Sequence, residues 1–267
     1  MWCKPGLVAS AIFCSRNFMA RLPRLVVPNH LHHIIARGNN DQHIVLDDAD
    51  CQQFLSFLRE SAQMAGVAVH AYVLMPSRVQ LMATPTDAQG LGKLMQAIGR
   101  HYVPYFNARH GRSGNLWEGR FRATVIDADT YFLACAHLIE QLPVAAGIVS
   151  DPSTYRWSSY AHHSGVHREA WLADHPAYWA LGNTPFEREA AYHQLAQTTL
   201  SAERITEIEA ATRKAWPLGS EEFLRRLAKL TSRRLEPQRR GRPRKASMPE
   251  ESQPQDSPGS GASSARK

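Results

Sequence analysis

The clearest alternation of apolar and polar residues predicts a β-hairpin near the middle of the chain. Two apolar runs, Tyr72–Met75 and Val79–Met82, flank a break at Pro76. The second run alternates apolar with polar residues, as a half-buried strand does. Side chains two positions apart on a strand share a face. The pattern therefore points Arg78 and Gln80 to the same side of the predicted sheet.

Helical spacing of apolar residues occurs on both sides of this hairpin. Phe54, Leu58 and Met64 recur at helical intervals behind an Asp-rich cap at residues 47–50. A second helix carries Leu94 and Ile98 on one face. In chain order the predicted elements are a strand near 32–36, a helix over 47–66, the hairpin, a helix over 90–106, a strand within 115–126 and a helix over 130–141.

This order predicts an α+β fold with a ferredoxin-like antiparallel sheet. The sheet is expected to carry its helices on one face and to keep the other face for function. Beyond Tyr160 the pattern becomes helical, and a basic tail follows. From Ser247 onward the chain is rich in Ser, Pro and Gly and has too little apolar surface to order itself. The predicted C-terminal helices cover 185–200, 202–214 and 220–232.

Composition adds an uneven charge distribution to this picture. The chain has 267 residues, 43% of them hydrophobic, and a net charge of +7. Residues 225–245 hold ten Lys and Arg against one acid, so the rest of the chain is close to neutral. Such a basic segment indicates a polyanionic partner, most often nucleic acid. The alternative interpretation is a solvated charge run.

Cysteine usage and hydropathy exclude several classes of protein. The four cysteines are scattered without a Cys-x-x-Cys pair, which excludes a zinc knuckle and a disulfide framework and fits a reducing cytoplasm. No segment approaches the roughly 20 apolar residues that cross a bilayer. We therefore expect a cytoplasmic, nucleoid-associated protein that has no membrane partner.

A cluster of basic and aromatic residues extends from Arg100 to Ala123, in the segment "RHYVPYFNARHGRSGNLWEGRFRA". Guanidinium groups can bind phosphates and aromatic rings can stack on unpaired bases. Tyr102 and Phe106 lie four residues apart on a helix and are expected in the core. The residues predicted to contact nucleic acid are Arg112, Trp117, Arg120 and Arg122.

A second basic motif, "QRRGRPRK", lies at residues 238–245. Pro243 favours an extended backbone before it, and Gly241 removes a side chain where the chain would approach DNA most closely. Flanking arginines can then lie in a narrow, negatively charged minor groove. The motif predicts an AT-hook-like arm that binds AT-rich duplex through Arg239, Arg240, Arg242, Arg244 and Lys245.

Several ordered motifs resemble those of one protein family. Read from Met19, they are "MARLPR", "HHIIARGNN", "VHAYVLMP", "YFNARHGRSGNLWEGRF", "YRWSSY" and "RRGRPRK". Together they resemble the REP-associated tyrosine transposases, which are single-tyrosine HUH transposases. The resemblance implies a ferredoxin-like nuclease domain that recognises hairpin-forming single-stranded DNA. It also implies a His-x-His pair that binds a divalent cation, a helix-borne nucleophilic Tyr, and a homodimer.

The catalytic motifs of that family are degenerate in this chain. The family pattern Pro-Asn-His-Val-His-Leu corresponds to residues 76–81, where Arg78 and Gln80 replace both histidines. Arg carries a permanent positive charge and has no lone pair to donate, and Gln offers only an amide oxygen. Arg78 is instead expected to contact a phosphate. Leu138 stands where the family has its Tyr and cannot form a phosphotyrosine link.

The leading hypothesis is therefore a transposase-derived protein that binds hairpin-forming single-stranded DNA without cleaving it. We assign no catalytic residue, metal or cofactor. One alternative is an active transposase, with magnesium or manganese and with Tyr131, seven residues before Leu138, as a substitute nucleophile. A second alternative is an RNA-binding or protein-interaction module. The sequence alone leaves the question of enzymatic activity open.

The resemblance also suggests boundaries. We expect translation to start at Met19, which leaves residues 1–18 as an extension. Residues 19–160 are expected to form the transposase-like DNA-binding domain, 161–235 the helical C-terminal region, and 236–267 the basic arm and disordered tail.

Overall fold

The computed structural model describes residues 24–236. Its central part follows the predicted order of strand, helix, strand, strand, helix, strand and helix. These elements are β1 (His32–Arg37), α1 (Asp48–Met64), β2 (Val67–Met75), β3 (Arg78–Pro85), α2 (Gly90–Arg109), β4 (Arg122–Val125) and α3 (Ala128–Glu140).

The four strands form one antiparallel sheet in the order β2-β3-β1-β4. This is the strand order expected of a ferredoxin-like arrangement, in which each strand-helix-strand crossover skips one neighbour. The prediction of an α+β fold with an antiparallel sheet is confirmed. β4 is shorter than the predicted strand within 115–126, because Gly119 adopts a φ of 61° just before it.

One face of the sheet is covered by α1 and α2. The side chain of Asp47 accepts a hydrogen bond from the backbone N–H of Asp50 and begins α1. Phe54 and Leu58 of α1 and Tyr102 of α2 are fully buried against this face. The expectation that Tyr102 belongs to the core is confirmed, and its hydroxyl donates to the carbonyl of Ile44 at 2.6 Å.

The sequence pattern reserved the opposite face of the sheet for function, but helices cover part of that face as well. α3 packs on the opposite face against β2 and β3, and C-terminal helices extend the same apolar cluster. The physical reason is that Val67–Met75 is apolar on both of its sides, so Val73 and Met75 need a second cover. The further helices are α4 (Leu142–Ala145), α5 (Tyr160–His163), α6 (Pro176–Trp179), α7 (Pro185–Gln197), α8 (Ala202–Lys214) and α9 (Glu221–Leu230).

An uncovered area of that second face lies where β1 ends and where β3 and β4 begin. Arg37 pairs with Arg78, and Ile35 pairs with both Gln80 and Arg122, so these side chains share the face. Within residues 24–236, no helix combines the length and the apolar character that crossing a membrane requires. The described residues fall in one compact unit that ends at Glu236. The predicted AT-hook-like arm lies outside the described residues.

Candidate nucleic-acid interface

The three positions at which the chain departs from the transposase motifs lie around one cavity. Arg78 and Gln80 reach it from β3, and Leu138 reaches it from α3. The cavity has a volume of about 400 Å³. We call it the arginine cavity, since its charged lining consists of Arg37, Arg78, Arg120, Arg122, Arg213, Glu118 and Glu209.

Five arginines against two glutamates give the arginine cavity an excess of three positive charges. Among the described residues, none of these arginines forms an ion pair with a carboxylate. A surface of this kind attracts anions, and the guanidinium fork matches the geometry of phosphate oxygens.

Arg78 occupies an electrostatically unfavourable position in the cavity. Its side chain is half-buried, and Arg37 lies directly opposite it across the β1–β3 pair. Burial and the neighbouring charge of Arg37 lower the pKa of Arg78. Like charges placed opposite each other on paired strands are destabilising. A bound anion would relieve this repulsion.

Hydrogen bonds between buried polar side chains hold Gln80 in place. Its Oε1 lies 2.7 Å from Nε2 of His33, and Nδ1 of His33 lies 2.9 Å from Oγ1 of Thr212 on α8. Burial lowers the pKa of His33 to about 4, so the imidazole is neutral near neutral pH. The amide oxygen of Gln80 is thus already engaged within the protein.

The donor set of the cavity does not fit the divalent cation of the transposase family. Arg78 presents charge of the same sign as the cation, and Gln80 has its oxygen engaged by His33. The part of the chain that the structure describes contains no group of three or more His, Cys, Asp or Glu arranged to hold a metal.

Leu138 and Tyr131 occupy different surroundings on α3. Leu138 is half-buried and lines the cavity, where its side chain offers no nucleophile. Tyr131 is buried, donates from its hydroxyl to Oε1 of Glu207 at 2.7 Å, and lies 4.2 Å beneath the guanidinium of Arg204. Burial and the bond to Glu207 raise the pKa of Tyr131 to about 12. Tyr131 is absent from the lining of the arginine cavity.

The four predicted contacts within residues 100–123 divide into two pairs. Arg120 and Arg122 are exposed and line the arginine cavity. Arg112 instead donates to Oε1 of Gln42 at 2.7 Å, and Trp117 packs edge-on near Phe54 at 6.3 Å. The structure does not bring Arg112 and Trp117 to the cavity, and a DNA contact through them remains a prediction.

Two arginines of the cavity are absent from the sequence-based prediction. Arg37 could have been found from the alternation of β1, because it shares a face with His33 and pairs with Arg78. Arg213 could not, since it comes from the end of α8, far along the chain. Its backbone carbonyl accepts a hydrogen bond from the Arg122 guanidinium, which ties α8 to β4. Arg239, Arg240, Arg242, Arg244 and Lys245 lie outside the described residues.

No family model matches the chain, and no curated protein matches it. Several solved structures are similar to it, among them two that are described as transposases. One, a REP-associated tyrosine transposase bound to a REP hairpin, is 14% identical over 60% of this chain and 93% of its own, with a TM-score of 0.45. The other, a protein of Deinococcus radiodurans R1 described as a transposase, is 21% identical over 45% of this chain and 97% of its own, with a TM-score of 0.32. Both TM-scores are below 0.5, so neither similarity carries an argument about what this chain does.

Proposed function

We propose that this protein binds hairpin-forming single-stranded DNA at the arginine cavity and does not cut it. The observation that carries the proposal is the convergence of Arg78, Gln80 and Leu138 on one cation-rich cavity. The choice of hairpin DNA as ligand comes from the motif resemblance, and the cavity supplies the chemistry that suits its backbone.

Phosphate binding at the cavity would follow from its charge. Arg37, Arg78 and Arg120 form no ion pair with a carboxylate among residues 24–236, so their N–H groups are available to phosphate oxygens. Such contacts release counterions from the nucleic acid and make the affinity depend on salt. The phosphate at Arg78 would take the place that a divalent cation and its bound phosphate occupy in an HUH enzyme.

Cleavage would require a nucleophile and a cation site, and both are replaced. Leu138 has no hydroxyl, and the donor set around Gln80 does not fit a cation. Tyr131 has a hydroxyl, but its proton is engaged by Glu207 and its pKa is raised to about 12. These features support binding without chemistry over the active-transposase alternative.

The test is a fluorescence anisotropy titration with a labelled DNA hairpin, an unstructured strand of the same composition, and the corresponding RNA hairpin. We expect the DNA hairpin to bind most tightly. Arg120→Ala should reduce discrimination between hairpin and unstructured strand. Arg59→Gln, an exposed cation on α1 on the opposite side of the sheet, is the matched control.

Equal affinity for the DNA hairpin and the unstructured strand would contradict the proposal. Preference for the RNA hairpin would favour the RNA-binding alternative instead. A variant Arg120→Ala that binds like Arg59→Gln would show that the arginine cavity is not the binding site.

A further inference from the structure

The hydrogen bonds behind Gln80 determine which end of its amide faces the arginine cavity. Burial lowers the pKa of His33 to about 4, so its imidazole carries a single proton at neutral pH. Nε2 of His33 lies 2.7 Å from Oε1 of Gln80, and an amide oxygen can only accept a hydrogen bond. The proton of His33 is therefore on Nε2, and Nδ1 is an acceptor.

Thr212 supplies the donor that this arrangement requires. Its Oγ1 lies 2.9 Å from Nδ1 of His33 and 2.9 Å from the backbone carbonyl of Ile208, so the hydroxyl has two acceptors within reach. Because Nδ1 has no proton, the hydroxyl of Thr212 donates to His33. Thr212, His33 and Gln80 are all buried, so water does not compete for these hydrogen bonds.

The amide nitrogen of Gln80 is left on the side away from His33. Gln80 lines the arginine cavity, and within residues 24–236 its nitrogen has no hydrogen-bond partner. Arg78 lies two positions earlier on the same face of β3, and only Ile35 of β1 separates Gln80 from Arg122 of β4 across the sheet. An uncharged donor therefore lies among the guanidinium groups of the cavity.

We propose that the amide nitrogen of Gln80 donates a hydrogen bond to a phosphate oxygen of the bound hairpin, next to the contact of Arg78, and that His33 is the positioning residue that holds the amide in this orientation. The inference rests on the proposed function, since the phosphate belongs to DNA in the arginine cavity. A neutral donor adds affinity but releases no counterion, which distinguishes Gln80 from the arginines around it.

The first measurement compares the affinity of full-length variants for the hairpin over a range of salt concentrations. Gln80→Met has a side chain of similar length without the donor, and we expect it to weaken binding about tenfold. The slope of the logarithm of the binding constant against the logarithm of the salt concentration should stay unchanged. Arg78→Gln should reduce the magnitude of this slope by about 0.7 to 0.9. Arg59→Gln is the control.

A second measurement locates the phosphate. Hairpins are made in which one linkage at a time is an uncharged methylphosphonate, in each of its two stereoisomers. At one linkage, we expect the replacement to weaken binding to the unaltered protein and to add little to the loss in Gln80→Met, because both changes remove the same hydrogen bond. At the other linkages the two losses should add.

The role of His33 is tested through Thr212 and through the imidazole itself. Nitrogen NMR spectra of the histidine rings show which ring nitrogen carries the proton, and for His33 at neutral pH we expect Nε2. Thr212→Val removes the donor to Nδ1 and should weaken hairpin binding, whereas Thr212→Ser should restore it. Thr212→Val should cause no further loss in a protein that already carries Gln80→Met, because it acts through the amide of Gln80.

The proposed function and this inference can fail separately. If the hairpin binds no better than an unstructured strand, the proposed function fails and the inference fails with it. If the hairpin is preferred but Gln80→Met binds it like Arg59→Gln, only the inference is overturned. A proton on Nδ1 of His33 would also overturn it, since the oxygen of Gln80 would then face the cavity. So would losses from Gln80→Met that add to those of every methylphosphonate.

Discussion

The side chain of Arg78 is half-buried, Arg78 pairs with Arg37 across β1 and β3, and Arg78 forms no ion pair with a carboxylate among the described residues. A histidine at this position could offer a lone pair to a metal, whereas an arginine can only donate hydrogen bonds. We therefore expect the site at the start of β3 to bind an anion in place of a cation.

Arg78→His combined with Gln80→His should create binding of manganese that the unaltered protein lacks. Two imidazoles two positions apart on β3 would face the same side, and the repelling charge of Arg78 would be gone. Isothermal calorimetry with Mn²⁺ measures this directly. Manganese binding of equal strength by the unaltered protein would contradict the proposed change from a cation site to an anion site.

The buried His33 should make stability depend on pH. Its pKa is about 4 in the folded protein against 6.5 for the free side chain, so the unfolded state binds the proton more tightly. The free energy of unfolding should therefore fall as pH decreases from about 6.5 to about 4, by up to about 1.4 kcal/mol per pH unit for this group.

Urea unfolding across that pH range measures the slope. His32 and His175 also have pKa values lowered to about 4 and contribute in the same direction. His33→Asn should therefore reduce the slope without abolishing it. An unchanged slope in this variant would show that His33 takes up its proton equally well in the folded state.

At the level of secondary structure, the apolar pattern predicted which helices and strands form and their order along the chain. It predicted less well which helices pack on each face of the sheet. The alternation at Val79–Met82 placed Arg78 and Gln80 on one face because the period of a strand is two residues. The continuous run Val67–Met75 carried the signal of a strand buried on both faces, and α3 supplies the second cover. The contribution of α8 to the arginine cavity could not be predicted, since no local pattern indicates where a distant helix docks.

A buried polar network holds the end of α3 to α5 and α7. Glu140 is 1% exposed and accepts hydrogen bonds from Tyr192 at 2.5 Å, from His163 at 2.8 Å and from Ser159. Removing the carboxylate would leave the buried donors of Tyr192 and His163 unpaired, whereas the hydroxyl of Ser159 could still donate to the carbonyl of Tyr72 at 3.2 Å. A buried donor that has lost its acceptor destabilises the folded state by more free energy than its hydrogen bond contributes.

Glu140→Ala should therefore lower the free energy of unfolding by about 3 kcal/mol. Glu60→Ala, an exposed acid on α1, should change it by less than about 0.5 kcal/mol. Chemical denaturation of the two variants under the same conditions makes the comparison. A Glu140→Ala variant as stable as Glu60→Ala would mean that the network does not hold these helices together.

At the scale of the whole molecule, positive charge is concentrated in two places. One is the arginine cavity, which was only partly visible in the sequence. The other is the basic segment from Arg225 to Lys245, which was evident from the sequence and includes the AT-hook-like motif. We expect the first to supply specificity and the second to supply affinity for DNA in general.

Truncation after Glu236 should weaken binding to all DNA and leave the preference for a hairpin intact. The logarithm of the binding constant falls linearly with the logarithm of the salt concentration. For each phosphate contact that is lost, the magnitude of this slope should fall by about 0.9 on duplex or about 0.7 on a single strand. Removal of the arm should therefore flatten the slope by roughly two to four units. Unchanged affinity and slope would identify the arm as a solvated charge run.

We expect the protein to bind a DNA hairpin without forming a covalent bond to it. The direct measurement is to incubate the full chain with a labelled single-stranded hairpin, with and without magnesium or manganese, and to run native and denaturing gels. We predict a shifted complex on the native gel and an intact free strand on the denaturing gel, with or without metal. A metal-dependent shortened strand or a protein–DNA adduct would contradict the claim, and an adduct at Tyr131 would identify an active transposase.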